Sequence, residues 1–137
     1  MKTNKTLLFT INKKGHSWGN PDLLRMICSP KYTKIDFGYT AKSIYESGGW
    51  IRIEKTTFIE IIETKERLTM TQAVGIPIRP EHHYFESKKD WRYFSLYFPP
   101  IPQKDCTLNI IEIEKGTKND FNYYDISLKM EDGVEVL

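Results

Sequence analysis

Apolar and polar residues alternate with a period of two from Tyr32 onward, and no segment carries a convincing 3.6-residue period. Thr33, Ile35, Phe37 and Tyr39 alternate with Lys34, Asp36, Gly38 and Thr40. Successive side chains of a strand point to opposite faces, so the first four are expected on a core and the second four toward water. Ser47, Gly48 and Gly49 then break the chain with turn chemistry. Ile51 and Ile53 share one face of the next segment, as do Thr57, Ile59 and Ile61 of the one after it. Leu68, Met70, Gln72 and Val74 mark a further strand that ends at Gly75. Pro77 and Pro80 have no N–H to give a ladder, so residues 76–80 should leave the sheet or follow its edge. The polar stretch 81–90 reads as the longest loop. Beyond it Phe94, Leu96 and Phe98 face one way and Tyr93, Ser95 and Tyr97 the other, until Pro99 and Pro100 stop the strand. Residues 108–113 form a short apolar run suited to a strand buried on both sides. Phe121 and Tyr123 alternate in one phase and Ile126 and Leu128 in the opposite one. A bulge near Tyr124 and Asp125 reconciles them, because one extra residue reverses the facing of everything after it. Residues 24–28 read as the first strand, with a short helix starting near Asn20, Pro21 and Asp22 left open.

Seven or eight short strands separated by Gly-, Pro- and Asn/Asp-rich turns point to a sandwich or a barrel. A chain of 137 residues favours one domain with a proper core. That core is expected over about 24–128, with an N-terminal arm (1–19) and a C-terminal tail (129–137) loosely held.

With the strands placed, the chain resembles a group of uncharacterised bacterial β-sandwich accessory modules. The likeness is carried by Trp50, Ile51, Arg52 and Ile53 followed by Thr57, Phe58 and Ile59, and by Val74, Gly75, Ile76, Pro77 and Ile78. It continues through Phe94 to Pro102, then Ile110, Ile111 and Glu112, and ends on Ile126, Ser127 and Leu128. The group's pattern usually has a glycine where this chain has Asp125, and an acidic residue where it has Val74. The resemblance implies an all-β, immunoglobulin-like antiparallel β-sandwich of about seven to eight strands, and it supplies no catalytic residues.

Charge narrows the functional classes. Lys and Arg number 20 against 18 Asp and Glu, whereas a nucleic-acid binder concentrates a basic excess on one face. The basic pairs Lys13–Lys14 and Lys88–Lys89 sit among loop-like neighbours and read as solvated turns. No apolar stretch approaches the ~20 residues of a membrane span. Leu7, Leu8 and Phe9 after Lys2 and Lys5 are too few for a signal-peptide core of about 7–15 residues. A cytoplasmic location is therefore expected for a full-length chain, and a periplasmic or cell-envelope one for a chain that has lost a leader. Cys28 and Cys106 match no metal or redox spacing, and are expected as buried thiols, with one internal bridge as the alternative.

Candidate chemistry is sparse. Glu81, His82 and His83, with Glu86 or His16 as a further ligand, are the place to look for a metal, but adjacent residues of an extended chain point apart, so no metal or other cofactor is expected. Ser17, Ser29, Ser95, Cys28 and Cys106 are candidate nucleophiles, and none has the glycine-flanked setting of a nucleophile elbow. Glu112 and Glu114 alternate with isoleucines, as carboxylates do on the wet face of a strand. No enzyme is expected. Aromatics remain: Trp91, Tyr93 and Tyr97 share one face, and Tyr84 and Phe85 sit in the long loop over 78–90. Exposed aromatics of this kind anchor a protein partner or stack on a saccharide. A non-catalytic binding or protein-interaction module is expected, with carbohydrate binding as the alternative; Trp50 is expected to close one end of the sandwich, and an edge-to-edge homodimer stays open.

Overall fold

The computed structural model describes residues 5–16, 20–40, 50–81, 83–85, 91–114 and 120–136, with the side chain of Trp50 excepted. Within them the chain is all-β, and its two main sheets pack face to face. No helix is long and apolar enough to cross a membrane. The larger sheet holds β1 (Leu7–Lys13), β2 (Asp22–Cys28), β3 (Thr33–Thr40), β7 (Gln72–Val74), β9 (Trp91–Phe98) and β12 (Val134–Glu135). Their order is β12-β1-β2-β3-β9-β7. The smaller sheet runs β11-β10-β5-β6, from β5 (Phe58–Ile61), β6 (Glu66–Thr69), β10 (Cys106–Ile111) and β11 (Tyr123–Leu128). A separate pair joins β4 (Trp50–Ile51) to β8 (His83–Tyr84). Every ladder is antiparallel, and the one parallel bridge among the described residues links Ile53 to Ile78.

The alternation in the sequence gives the core. Ile35 and Phe37 of β3 and Phe94, Leu96 and Phe98 of β9 are buried, facing Ile59, Ile61, Leu108, Ile110, Ile126 and Leu128 of the smaller sheet. Phe37 stacks on Phe94 at 5.0 Å and reaches across to Tyr123 at 5.4 Å. The Tyr123 hydroxyl donates to the Pro21 carbonyl at 2.6 Å, which satisfies the one polar atom this ring takes into the interior.

Several expectations are corrected. Positions 68–74 are two strands rather than one: the Met70 N–H donates to the Thr57 carbonyl and the Thr71 N–H to the Tyr97 carbonyl. The chain thus leaves the smaller sheet at Met70 and enters the larger one at Thr71, and Val74 and Gln72 end up exposed. The N-terminal arm contains β1, an interior strand, and the C-terminal tail contains β12, which pairs with it. These two strands, the split at Met70 and the short β4–β8 pair raise the strand count above seven or eight. The strand at 24–28 begins at Asp22. The bulge near Asp125 is present: two steps on β10, from Leu108 to Ile110, match three on β11, from Ile126 to Tyr123. Asp125 takes a φ of 57°, the left-handed region where glycine is least strained, and its N–H donates to Asn109 Oδ1.

Gly75 ends β7 at φ 86°, and a Cβ there would lie 2.9 Å from the Tyr93 carbonyl oxygen, so only glycine fits. The side chain of Trp50 and the turn at Ser47, Gly48 and Gly49 lie outside the described residues.

Candidate binding face on the larger sheet

Register in the larger sheet decides which side chains meet on its outer face. Trp91 stands opposite Thr40, Tyr93 opposite Gly38, Ser95 opposite Asp36 and Tyr97 opposite Lys34. β7 places Val74 beside Ser95 and Gln72 beside Tyr97. The inward partners of this row are the buried Phe94, Leu96 and Phe98, so period two alone puts the three aromatics on the outside. Trp91 and Tyr93 are each 64% exposed, with ring centroids 4.8 Å apart and planes at 64°. Tyr97 is half-buried and meets Tyr32 edge-on at 5.6 Å. The ring of Tyr93 leans over Gly38: a Cβ on Gly38 would be 3.2 Å from Tyr93 Cε1. A glycine in a strand leaves a gap on the pleat, and a cross-strand aromatic covers it.

A polar network sits among these rings. The buried Asp36 carboxylate accepts from Arg25 Nε and from the Ser95 hydroxyl, each at 2.6 Å, and lies 3.5 Å from Lys34 Nζ. Burial alone would raise the Asp36 pKa, but the Arg25 and Ser95 hydrogen bonds and the charges of Lys34 and Arg25 outweigh it and hold the carboxyl below its ordinary value. The network ties β2, β3 and β9 together and fixes an ionised carboxylate and a guanidinium beside the aromatic row. The outer face of the smaller sheet differs. There Arg67 spans Glu60 (3.4 Å) and Glu114 (2.6 Å) and covers the Phe58 ring at 4.7 Å, which leaves a charged surface.

The other expected surface residues separate. Tyr84, 66% exposed, belongs to the β4–β8 pair, opposite Trp50. Phe85 does not serve as a surface: it is 4% exposed and packs against Tyr39 at 5.4 Å and edge-on against His83 at 5.2 Å. An isolated aromatic in a charged stretch gives no periodicity from which to tell an anchor from an exposed ring. His82, Glu86, Ser17, Lys88 and Lys89 lie outside the described residues. His83 sits within 3.0 Å of Arg92 Nη1, and Arg92 Nε donates to the Gly75 carbonyl, so this histidine borders a cation. Among the described residues no group of three His, Cys, Asp or Glu side chains could hold a metal ion.

Among the described candidate nucleophiles, both serines are held in hydrogen bonds and both cysteines are buried. The Ser95 hydroxyl donates to Asp36, and Ser29 Oγ accepts from the Lys31 and Tyr32 N–H groups in a turn. Cys28 and Cys106 are free and buried. Burial, and then the proximity of Cys106, pushes the Cys28 thiol up to about 12, so it is un-ionised at neutral pH.

Glu112 overturns its expectation. It is 7% exposed rather than on a wet face, because β10 ends at Ile111 and the alternation stops with it. Its Oε1 accepts from the Phe121 N–H at 2.9 Å and its Oε2 from the Glu54 N–H at 3.0 Å. The buried Asn122 accepts the Glu112 N–H at 2.9 Å and donates to the Ile113 carbonyl at 3.0 Å. Burial pushes the Glu112 carboxyl up to about 7; the two backbone donors pull it down, and the charges of Asp120 and Glu54 add to the rise. Nothing in a β-strand alternation signals a glutamate that turns inward once the strand has ended.

No protein-family model, no curated protein and no solved structure matches the chain.

Proposed function

We propose that the chain is a non-catalytic binding module that engages a protein partner through the outer face of the larger sheet. One observation carries this reading: Trp91 and Tyr93, in ring contact and each 64% exposed, stand on a rigid strand next to a fixed Arg25–Asp36 pair. Large aromatics on a strand lose little conformational freedom on binding, and Trp, Tyr and Arg are the residues that carry most interface energy. The polar network orients its charges before any partner arrives, so recognition has little reorganisation cost.

A second reading, a saccharide in place of a protein, draws on the same row. Aromatic rings next to Gln72, Ser95 and Arg25 combine a stacking surface with hydrogen-bonding groups.

A photo-crosslinking residue placed at Trp91 tests the first reading against the same residue placed at Thr69 on the smaller sheet. A protein adduct at position 91 and none at 69, lost on competition with unlabelled domain, is the expected result. Equal labelling at both positions removes the surface. For the second reading, saturable binding in a calorimetric screen of purified glycans, abolished in Trp91→Ala, is expected. Silence across neutral, acidic and amino sugars rejects it.

A further inference from the structure

The ladders of the larger sheet set its outward side chains in rows that cross the strands. Arg25, Asp36, Ser95 and Val74 form one row, and Lys34 and Tyr97 belong to the next. Tyr93 stands in the row on the other side, opposite Gly38. A strand rises about 3.3 Å per residue, so Tyr93 and Tyr97 leave the backbone about 13 Å apart with Ser95 midway. The row between the two rings is the low one. Ser95 is short, and Asp36 is sunk into the face with its side chain 9% exposed.

Charge in this low row is uneven at the surface. Both Asp36 oxygens are engaged, Oδ2 by Arg25 Nε and Oδ1 by the Ser95 hydroxyl, each at 2.6 Å, with Lys34 Nζ at 3.5 Å. Two cations thus share one carboxylate. The carboxylate lies below the surface, whereas the Arg25 side chain is 55% exposed. Asp36 takes only Nε of the guanidinium, and among the described residues no acceptor meets its two Nη groups. Those two groups are the end of the fork that grips a carboxylate through parallel hydrogen bonds, and Asp36 holds the fork in place in advance. Val74 at the opposite end of the row is apolar and exposed, so the row has one charged end and one apolar end. Asp22, in the row of Tyr93, is paired with Lys14 at 2.8 Å.

From this geometry we infer that the protein partner presents an acidic segment to this face, seating an Asp or Glu carboxylate on the Arg25 fork and apolar or aromatic side chains on Trp91 and Tyr93. This rests on the reading of the outer face as a protein-binding surface and adds the chemistry of what it takes. Charge complementarity selects the occupant. An acidic group meets Arg25 and Lys34 above a carboxylate that is already paired, while a basic segment brings a third cation to a row whose one carboxylate has both oxygens occupied. Residues 86–90, next to Trp91 along the chain, lie outside the described residues, whereas Arg25 and Lys34 are placed by β2 and β3.

The probe is a display library of random short peptides selected on the intact protein, with every clone that also binds Trp91→Ala discarded. Surviving peptides should carry an Asp or Glu next to an aromatic or apolar residue. Replacing that acid by Asn or Gln should weaken binding about tenfold or more to wild type, and less than about twofold to Arg25→Gln. Arg25→Lys, which keeps the charge and loses the fork, should fall between the two. Survivors without an acid, or an acid whose removal costs the same in wild type and Arg25→Gln, overturn the acidic partner and leave the binding face standing. A library with no survivor that depends on Trp91 overturns the protein-binding face and this inference with it. Binding of a uronic-acid oligosaccharide through Trp91 and Arg25 in that case gives the fork to a sugar acid instead. Should Arg25→Gln not fold, the wild-type protein decides alone, since an affinity unchanged on neutralising the peptide's acid overturns the contact.

Discussion

Asp125 and Phe85 show how one position can set the cost of a substitution. Asp125 holds a left-handed φ of 57° at the bulge of β11, and its backbone N–H, which any residue supplies, is bound by Asn109. Asp125→Gly therefore relieves a steric penalty and removes no contact of the N–H. Urea unfolding should show a stabilisation of about 0.5–1 kcal/mol. A loss of stability would mean that the aspartate side chain has a role of its own in the turn. The neighbours Tyr84 and Phe85 make the opposite comparison. Phe85 fills the space beside Tyr39 and His83, and Phe85→Ala should cost about 3–5 kcal/mol. Tyr84 is 66% exposed, and Tyr84→Ala should cost clearly less than Phe85→Ala, about 1 kcal/mol or below. Equal effects from the two, in the same melt, would contradict the placement of this pair.

Among the elements, β2, β3 and β9 are locked by Asp36 as well as by their ladders. The Asp36 carboxyl group sits below its ordinary value when folded, so its contribution is complete above the unfolded value and disappears as pH falls through the folded one. The acid limb of the stability curve should accordingly be shallower in Asp36→Asn than in wild type, at a lower starting stability; superimposable limbs would show that the network carries no linkage. The elements also show what the alternation in the sequence could convey. β3 and β9 obey period two over eight residues each, so their inward and outward rows were legible, and with them the Trp91, Tyr93 and Tyr97 face. The bulge at Asp125 was legible because the phase reverses across it. The split of 68–74 was not, because Met70 and Thr71 keep the alternation running while the backbone changes sheets. Phe85 and Glu112 escaped for a related reason. Each lies beyond a regular strand, where tertiary packing and not periodicity decides which way a side chain turns.

For the molecule as a whole, the terminal segments are part of the sandwich. β12 covers the free edge of β1, Gly133 closes on the Phe9 ring, and the Met130 N–H is held by Asp105 at 2.8 Å. Ending the chain after Leu128 should uncover that edge and lower stability by about 1–3 kcal/mol in denaturant titration, with an increased tendency to self-associate. An unchanged midpoint would show the tail to be decoration. The outer faces of the two sheets also differ in kind. The smaller sheet ends in the Arg67 charge lattice, and the larger one in aromatics around an ionised, arginine-paired acid, so the molecule has one sticky side and one wet side.

The pairing of β1 with β12 has a further consequence. The Val136 N–H donates to the Thr6 carbonyl at 2.9 Å, so chain entering and chain leaving run side by side at one margin of the larger sheet. Strands are spaced at roughly 4.8 Å, which sets β9 three strands, or about 14 Å, from β1. Anything joined to either end would hold the domain by the same margin, like a flag on its pole, and leave the aromatic row pointing outward on the far side.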